Sequence, residues 1–323
     1  MRAPAVRSLV PLVVVLVVGA VFHQQGAFFR WDTHRAMLRE IAVHGILACG
    51  MTVVIITAGI DLAVGSVLAL SAVTLATLLM PLGWGALGAV LVVLALGTGA
   101  GVVSGALIAR YRLQPFVVTL AMMVFARGLA KLVADGKKVT TYVTGADGTS
   151  RLVDMPALFE AIDTKILGGN LTIVSVVFAL VALVTWLLLE RLRIGRYLYA
   201  VGGNAEAARL AGVPVERTLI FAYAYAGLCA AVAGICQAAQ ETHGDPETGM
   251  GYELDAIAMV VLGGTSLMGG RGGVGLTLVG ALTLGYLQKV LSLNAFSTEA
   301  RLMLTGAIIV AAVLFQRRFE ERG

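Results

Sequence analysis

The apolar runs leave this chain few possible folds. Ten stretches, 8–22, 40–57, 62–82, 85–109, 115–134, 171–189, 217–239, 253–268, 272–292 and 300–316, are long, apolar and sparsely charged. A bilayer core takes about 20 apolar residues per helix, with a range of roughly 17–25. Runs of that length, repeated along the chain, predict an all-α polytopic membrane protein of about ten transmembrane helices, read as one transmembrane domain over 1–323. Composition agrees: 59% of the 323 residues are hydrophobic and 13% charged, against about 25% charged in soluble domains. The net charge of +5 sits in loops and does not suggest nucleic acid.

Basic loops orient the spans. With both termini in the cytoplasm, Arg110, Arg112, Arg191, Arg193, Arg196, Arg209, Arg217, Arg271 and the tail arginines Arg317, Arg318 and Arg322 fall inside. The loop 190–216 is then cytoplasmic, and the segment 135–170 is extracytoplasmic. Arg30, Arg35 and Arg39 are exceptions, placed outside. Arg2 and Arg7 precede the first apolar run, which lacks a clean small-x-small cleavage site and reads as an uncleaved span.

Cys49, Cys229 and Cys236 lie inside apolar runs as small buried hydrophobes. They have no metal-ligand spacing, so no cofactor or metal is expected. Gly270, Gly272 and Gly275 match GxGxxG, but membrane spans flank them and no acidic residue follows at the required distance. The same stretch is a near-miss for a phosphate-binding loop, with Leu276 where the lysine must be. The chain therefore binds no nucleotide, and any ATP-driven step belongs to another polypeptide.

Two segments interrupt apolar runs. In TAGIDLAVGS (57–66), Gly59, Asp61, Gly65 and Ser66 break the pattern. Asp61 is placed to cap a helix starting at Leu62, which makes the segment a tight turn. A discontinuous element beside a transport route is the alternative, since irregular backbone is tolerated where it faces protein or water. In VLGGTSLMGGRGGVG (261–275), Gly263, Gly264, Thr265 and Ser266 open a glycine-rich turn, a helix break that is a second candidate for the transport route. Among in-span charges, Arg127, Lys131 and Asp135 share a helix face, where snorkelling or a local Lys131–Asp135 pair is expected. Glu253 and Asp255 suit a helix N-terminus. His44 alone could serve a proton relay, and it lies near the start of its span.

GGNAEAARLAGVPVER (202–217) is a polar-punctuated run between two spans. Asn204 is a good N-cap, Glu206 and Arg209 match the helix dipole, and Gly212 with Pro214 ends the helix. A helix over 205–211 with a slim face of Ala207, Ala208 and Ala211 follows. It is either a solvated loop helix or a knob gripped by a soluble partner.

GIDLAVGS (59–66), PFVVTLAMMVFARGLA (115–130), GRYLYAVGGNAEAARLAGV (195–213) and LGGTSLMGGRGGVG (262–275) stand in the order and spacing of a known family. Through them the chain resembles, over nearly its whole length, the permease subunits of bacterial sugar ATP-binding-cassette (ABC) importers. It resembles their ribose-type branch, in a family shared with branched-chain amino acid permeases. Ala58 and Ala63 stand where that pattern has Gly and Ser. The resemblance implies an ABC importer permease fold in the bacterial inner membrane. It makes 205–211 a coupling helix with Asn204, Glu206, Ala207, Ala208, Arg209 and Gly212 facing an ATPase. It also implies two ATPase chains, a second permease chain, a periplasmic sugar-binding protein docking from outside, and a pentose or hexose cargo. A branched-chain amino acid cargo and an ion-coupled carrier are the alternatives. A membrane enzyme would want paired carboxylates or a His cluster at one face, and none is convincing.

Overall fold

The computed structural model describes residues 2–144, 149–297, 299–301, 303, 304, 306 and 307. The expected span 300–316 lies mostly outside the described residues, and the tail arginines wholly so. The helices in chain order are α1 (Arg2–Val21), α2 (Trp31–Ile56), α3 (Val64–Leu79), α4 (Ala86–Tyr111), α5 (Pro115–Val133), α6 (Ala157–Asp163), α7 (Ile173–Glu190), α8 (Arg193–Gly203), α9 (Ala205–Leu210), α10 (Val215–Glu241), α11 (Tyr252–Leu262) and α12 (Val274–Leu293). Among the described residues, six helices are long and apolar enough to cross a membrane: α2, α4, α5, α7, α10 and α12. Leu9–Val21 of α1 and all of α3 are shorter apolar helices. The chain is an all-α polytopic membrane protein.

The core forms around α2, which is buried on every side from Gly45 to Ile56. Only an apolar helix can be enclosed all round without stranding polar groups. Helix α10 lies along it and against α4. There Gly97, Gly101 and Gly105, one helical turn apart, admit the α10 backbone. A Cβ at Gly105 would sit 2.8 Å from the Cα of Ile220. Small residues at such spacing let apolar helices associate by close packing where no hydrophobic force draws them together.

The span expected over 253–268 is not one. Helix α11 has 11 residues and is about 16 Å long, roughly half the hydrocarbon thickness. Residues 263–273 are irregular, with left-handed backbone at Gly264, Gly269, Gly270 and Gly272, conformations that only glycine adopts at no steric cost. Helix α3 begins at Val64 rather than Leu62 because Asp61 does not cap it. The Asp61 carboxylate instead accepts from the Ala63 amide at 2.9 Å, and the N-cap Ala63 supplies no side-chain acceptor. Helix α2 starts nine residues before its apolar run.

The segment 135–170 folds into β1 (Tyr142–Thr144) paired antiparallel with β2 (Ser150–Leu152), then α6, then β3 (Lys165–Ile166) paired with β4 (Leu171–Thr172). This end explains two of the three exceptional arginines. Arg39 bonds Asp163 at 2.6 Å, and Arg35 donates to the Gly169 carbonyl at 2.9 Å. Bound to this layer, they are fixed by partners rather than by the charge rule for free loops.

Candidate functional site

The opposite end of the bundle carries α8 and α9. Asn204 takes an extended conformation between them, and its side-chain oxygen accepts from the amides of Glu206 at 3.0 Å and Ala207 at 2.9 Å. Arg209 reaches back to Glu206 at 3.0 Å. The chain leaves α9 through Ala211 and a left-handed Gly212, whose amide bonds the Arg209 carbonyl. The expected 205–211 helix thus ends at Leu210, with Ala211 as its C-cap.

The face it presents differs from the expected one. Ala208 points inward onto Val201 and Val215, while Glu206, Ala207, Arg209, Ala211 and Gly212 are exposed. Leu210 stands 83% exposed at the tip. Alanine spacing could not separate inner from outer faces, because a two-turn helix has too short a pattern to phase.

Helix α8 is not legible in the sequence. RIGRYLYAVGG reads as a polar loop, yet it forms an amphipathic helix that buries Gly195, Leu198, Val201 and Gly202. Gly202 seats it. A Cβ there would run into the Ile56 carbonyl and lie 2.7 Å from the Gly270 nitrogen. Gly270 itself donates to the Ile56 carbonyl at 2.9 Å. Tyr199 donates to the Gly272 carbonyl at 3.0 Å. Burial first, then the Glu190 carboxylate, push its phenol up to about 12, so it remains a donor at any physiological pH. The helix carrying α9 therefore rests on the end of α2 and on the turn before α12 at once.

The other singled-out residues form two groups. Gly59 lies under the Tyr223 side chain, where a Cβ would come 3.2 Å from Val54. Asp61 is 3% exposed and Ser66 2%. Gly65 faces Gly249, ahead of α11. In the second group Gly263 packs on Leu276 and Thr277 of α12, and Gly264 follows in left-handed backbone. The Thr265 hydroxyl accepts from the Gly273 amide at 3.4 Å, and the Ser266 amide donates to the Arg271 carbonyl at 3.1 Å. The two groups meet through Ile56 and Gly270. Asp61, Thr265 and Ser266 bond within their own turns.

Lys131 does not pair with Asp135. It bonds Glu247 at 2.7 Å, while Asp135 faces Lys137 at 3.8 Å. His44 lies 3.6 Å from Asp255 with its ring 4.1 Å from that of Tyr252, a contact between α2 and α11 that spacing along one helix could not reveal.

Comparison with known proteins gives one consistent result. The family model described as branched-chain amino acid transport system / permease component matches residues 35–313. The chain is 38% identical over 318 residues to the ribose import permease protein RbsC of Escherichia coli K12, covering 97% of this chain and 93% of that one. It is 36% identical over 320 residues to the L-arabinose transport system permease protein AraH of Escherichia coli K12, covering 96% and 89%. It is 34% identical over 318 residues to the fructose import permease protein FrcC of Rhizobium meliloti, covering 96% and 84%. No solved structure matches the chain significantly.

Proposed function

This chain belongs to the branched-chain amino acid transport system / permease component family, and we propose that within it the chain is the membrane-spanning permease of a sugar ABC importer. Its cargo is a monosaccharide of the pentose or hexose class, the chemistry in the names of its relatives. The end bearing α8 and α9 faces the cytoplasm, and the 135–170 layer faces outward, where a sugar-binding protein delivers cargo. ATP is hydrolysed by a separate ATPase subunit, and a second copy of the permease completes the pathway.

The observation that carries this reading is the seat of α9. A capped helix with an exposed tip follows α8 after the single extended residue Asn204, and α8 is wedged by Gly202 on Ile56 and Gly270. A soluble partner gripping Glu206, Arg209 and Leu210 would load α8, and α8 would load both breaks. Transport then needs only that the partner bind one arrangement of these spans better than the other.

The test is copurification from membranes, wild type beside a Glu206→Arg, Gly212→Trp double variant. An ATPase subunit that accompanies wild type and is lost with the double variant supports the proposal. No ATPase with wild type in any mild detergent overturns it in favour of an ion-coupled carrier. Uptake of labelled ribose, arabinose, fructose and leucine decides the cargo. Leucine is included because the family description names amino acids, and leucine alone entering would replace the sugar.

A further inference from the structure

The segment Gly244-Asp245-Pro246-Glu247-Thr248-Gly249 crosses from α10 to α11, and almost every residue of it is tied to α5 or its continuation. Gly244 exchanges two backbone hydrogen bonds with Val139, at 2.8 and 2.9 Å. Asp245 pairs with Lys138 at 2.9 Å and Glu247 with Lys131 at 2.7 Å. The Arg127 guanidinium donates to the carbonyls of Pro246 at 2.5 Å and Thr248 at 2.7 Å. Three cations of one segment therefore hold two acids and two carbonyls of the other, the two segments running antiparallel.

Beneath this strap lies α3. A Cβ on Gly249 would meet the Gly65 carbonyl at 2.5 Å, and one on Gly244 would meet Val73 and Ala76 at 2.9 and 2.8 Å. The strap thus lies along α3, its Gly249 end against Gly65 in the first turn, next to the buried Ser66, and its Gly244 end against Val73 and Ala76. Apart from the Gly244–Val139 backbone pair, its anchors are ionic or charge-assisted, which water and other ions can replace. Pro246 is its one apolar side chain. Gly249 and Gly251, at φ +73° and +83°, supply left-handed backbone where it turns into α11.

We infer that residues 244–249 are a gate strap, closed over the first turn of α3 by Arg127, with Lys131 and Lys138 as its releasable clasps. Arg127 is the positioning residue, because one guanidinium holds two carbonyls of the strap, those of Pro246 and Thr248. The inference builds on the permease reading in taking the covered turn as part of the route, and its test requires neither a sugar nor an ATPase.

The experiment places Ser66→Cys in the full chain in lipid nanodiscs and follows its reaction with a polar maleimide. Cys49, Cys229 and Cys236 are all buried and give little background. With Arg127 present the new thiol reacts slowly. With Arg127→Ala it reacts at least tenfold faster. Lys131→Glu also speeds the reaction, and Lys131→Glu with Glu247→Lys restores the slow rate, which a loosened fold would not do. Equal rates with and without Arg127, or a charge swap that fails to restore protection, overturn the strap. If Arg127→Ala does not fold, the Lys131 and Glu247 variants decide alone. Either result leaves the ATPase copurification test untouched.

Discussion

The Gly270 amide donates to the Ile56 carbonyl at 2.9 Å, joining the turn before α12 to the last residue of α2. Gly202 packs on that same carbonyl. Three chain segments more than sixty residues apart in sequence thus share one oxygen, and α8, which bears the exposed α9, is one of them.

Gly202→Ala tests that junction. The added methyl group runs into the Ile56 carbonyl, and backbone cannot rotate away as a side chain can. Overpacking of this kind costs about 1–3 kcal/mol. The expected result is a lower melting temperature in detergent together with lost uptake. Gly203→Ala next to it, with open space around its Cβ, should melt close to wild type.

Ala58 has φ +61°, a left-handed conformation that costs an L-residue about 1–2 kcal/mol. The ribose-type pattern has glycine there. Ala58→Gly should therefore raise stability by about 1 kcal/mol, read from thermal unfolding. No gain would mean that the Ala58 methyl group makes contacts worth the strain.

The tip of α9 separates binding from folding. Leu210→Asp changes a side chain that touches little, so melting should shift by no more than about 0.5 kcal/mol while the ATPase subunit is lost from copurification. Asn204→Ala removes the acceptor of two amides at about 1 kcal/mol and should loosen coupling, seen as less sugar imported per ATP hydrolysed. Asn204→Asp should restore it.

The Lys138–Asp245 clasp has a defined pH window. Partial burial pushes the Asp245 carboxyl up, but the Glu247 amide and the Lys138 ammonium outweigh it and hold it below the usual range. The bond to Asp245 raises Lys138 in turn. The unfolded values are about 3.9 and 10.4. A depressed carboxylate contributes fully above its unfolded value and loses that contribution as pH falls through the lower folded value. A raised lysine contributes fully below its unfolded value and loses it as pH rises through the higher folded one. The melting gap between wild type and Asp245→Asn should stay flat from about pH 5 to 9 and close in stronger acid. A gap that closed near pH 6 would exclude the clasp.

Much of this was legible in the sequence, for local reasons. Apolar length marked the spans, and Asn204, Gly212 and Pro214 bounded α9 because caps act within one turn of helix. What was missed depends on distant partners. Lys131 reads toward Asp135 along its helix, but Glu247 reaches it from across the fold. The arginines at 35 and 39 defied the charge rule because Gly169 and Asp163 hold them. Helix α8 was hidden because its apolar face is written partly in glycines, which carry no hydropathy signal yet pack closest of all. Helix α11 passed as a span because the turn after it carries no charge over 263–268 and so extends its apolar run.

Helices α2, α4 and α10 have 26, 26 and 27 residues and are about 39–40 Å long, while α3 and α11, with 16 and 11, are about 24 and 16 Å. Hydrocarbon about 30 Å thick meets the outward-facing α4 as a mismatched rod, which answers thinner or thicker lipid by tilting and carries with it α10 and, through α10, the buried α2. The short pair, joined by Gly65 and Gly249 inside the bundle, has no span length to match. Acyl-chain length therefore acts on the frame and not on the breaks it encloses, and shifts one against the other. Uptake in vesicles of graded acyl length should pass through an optimum, so the host membrane's lipid composition tunes the rate without any dedicated lipid site.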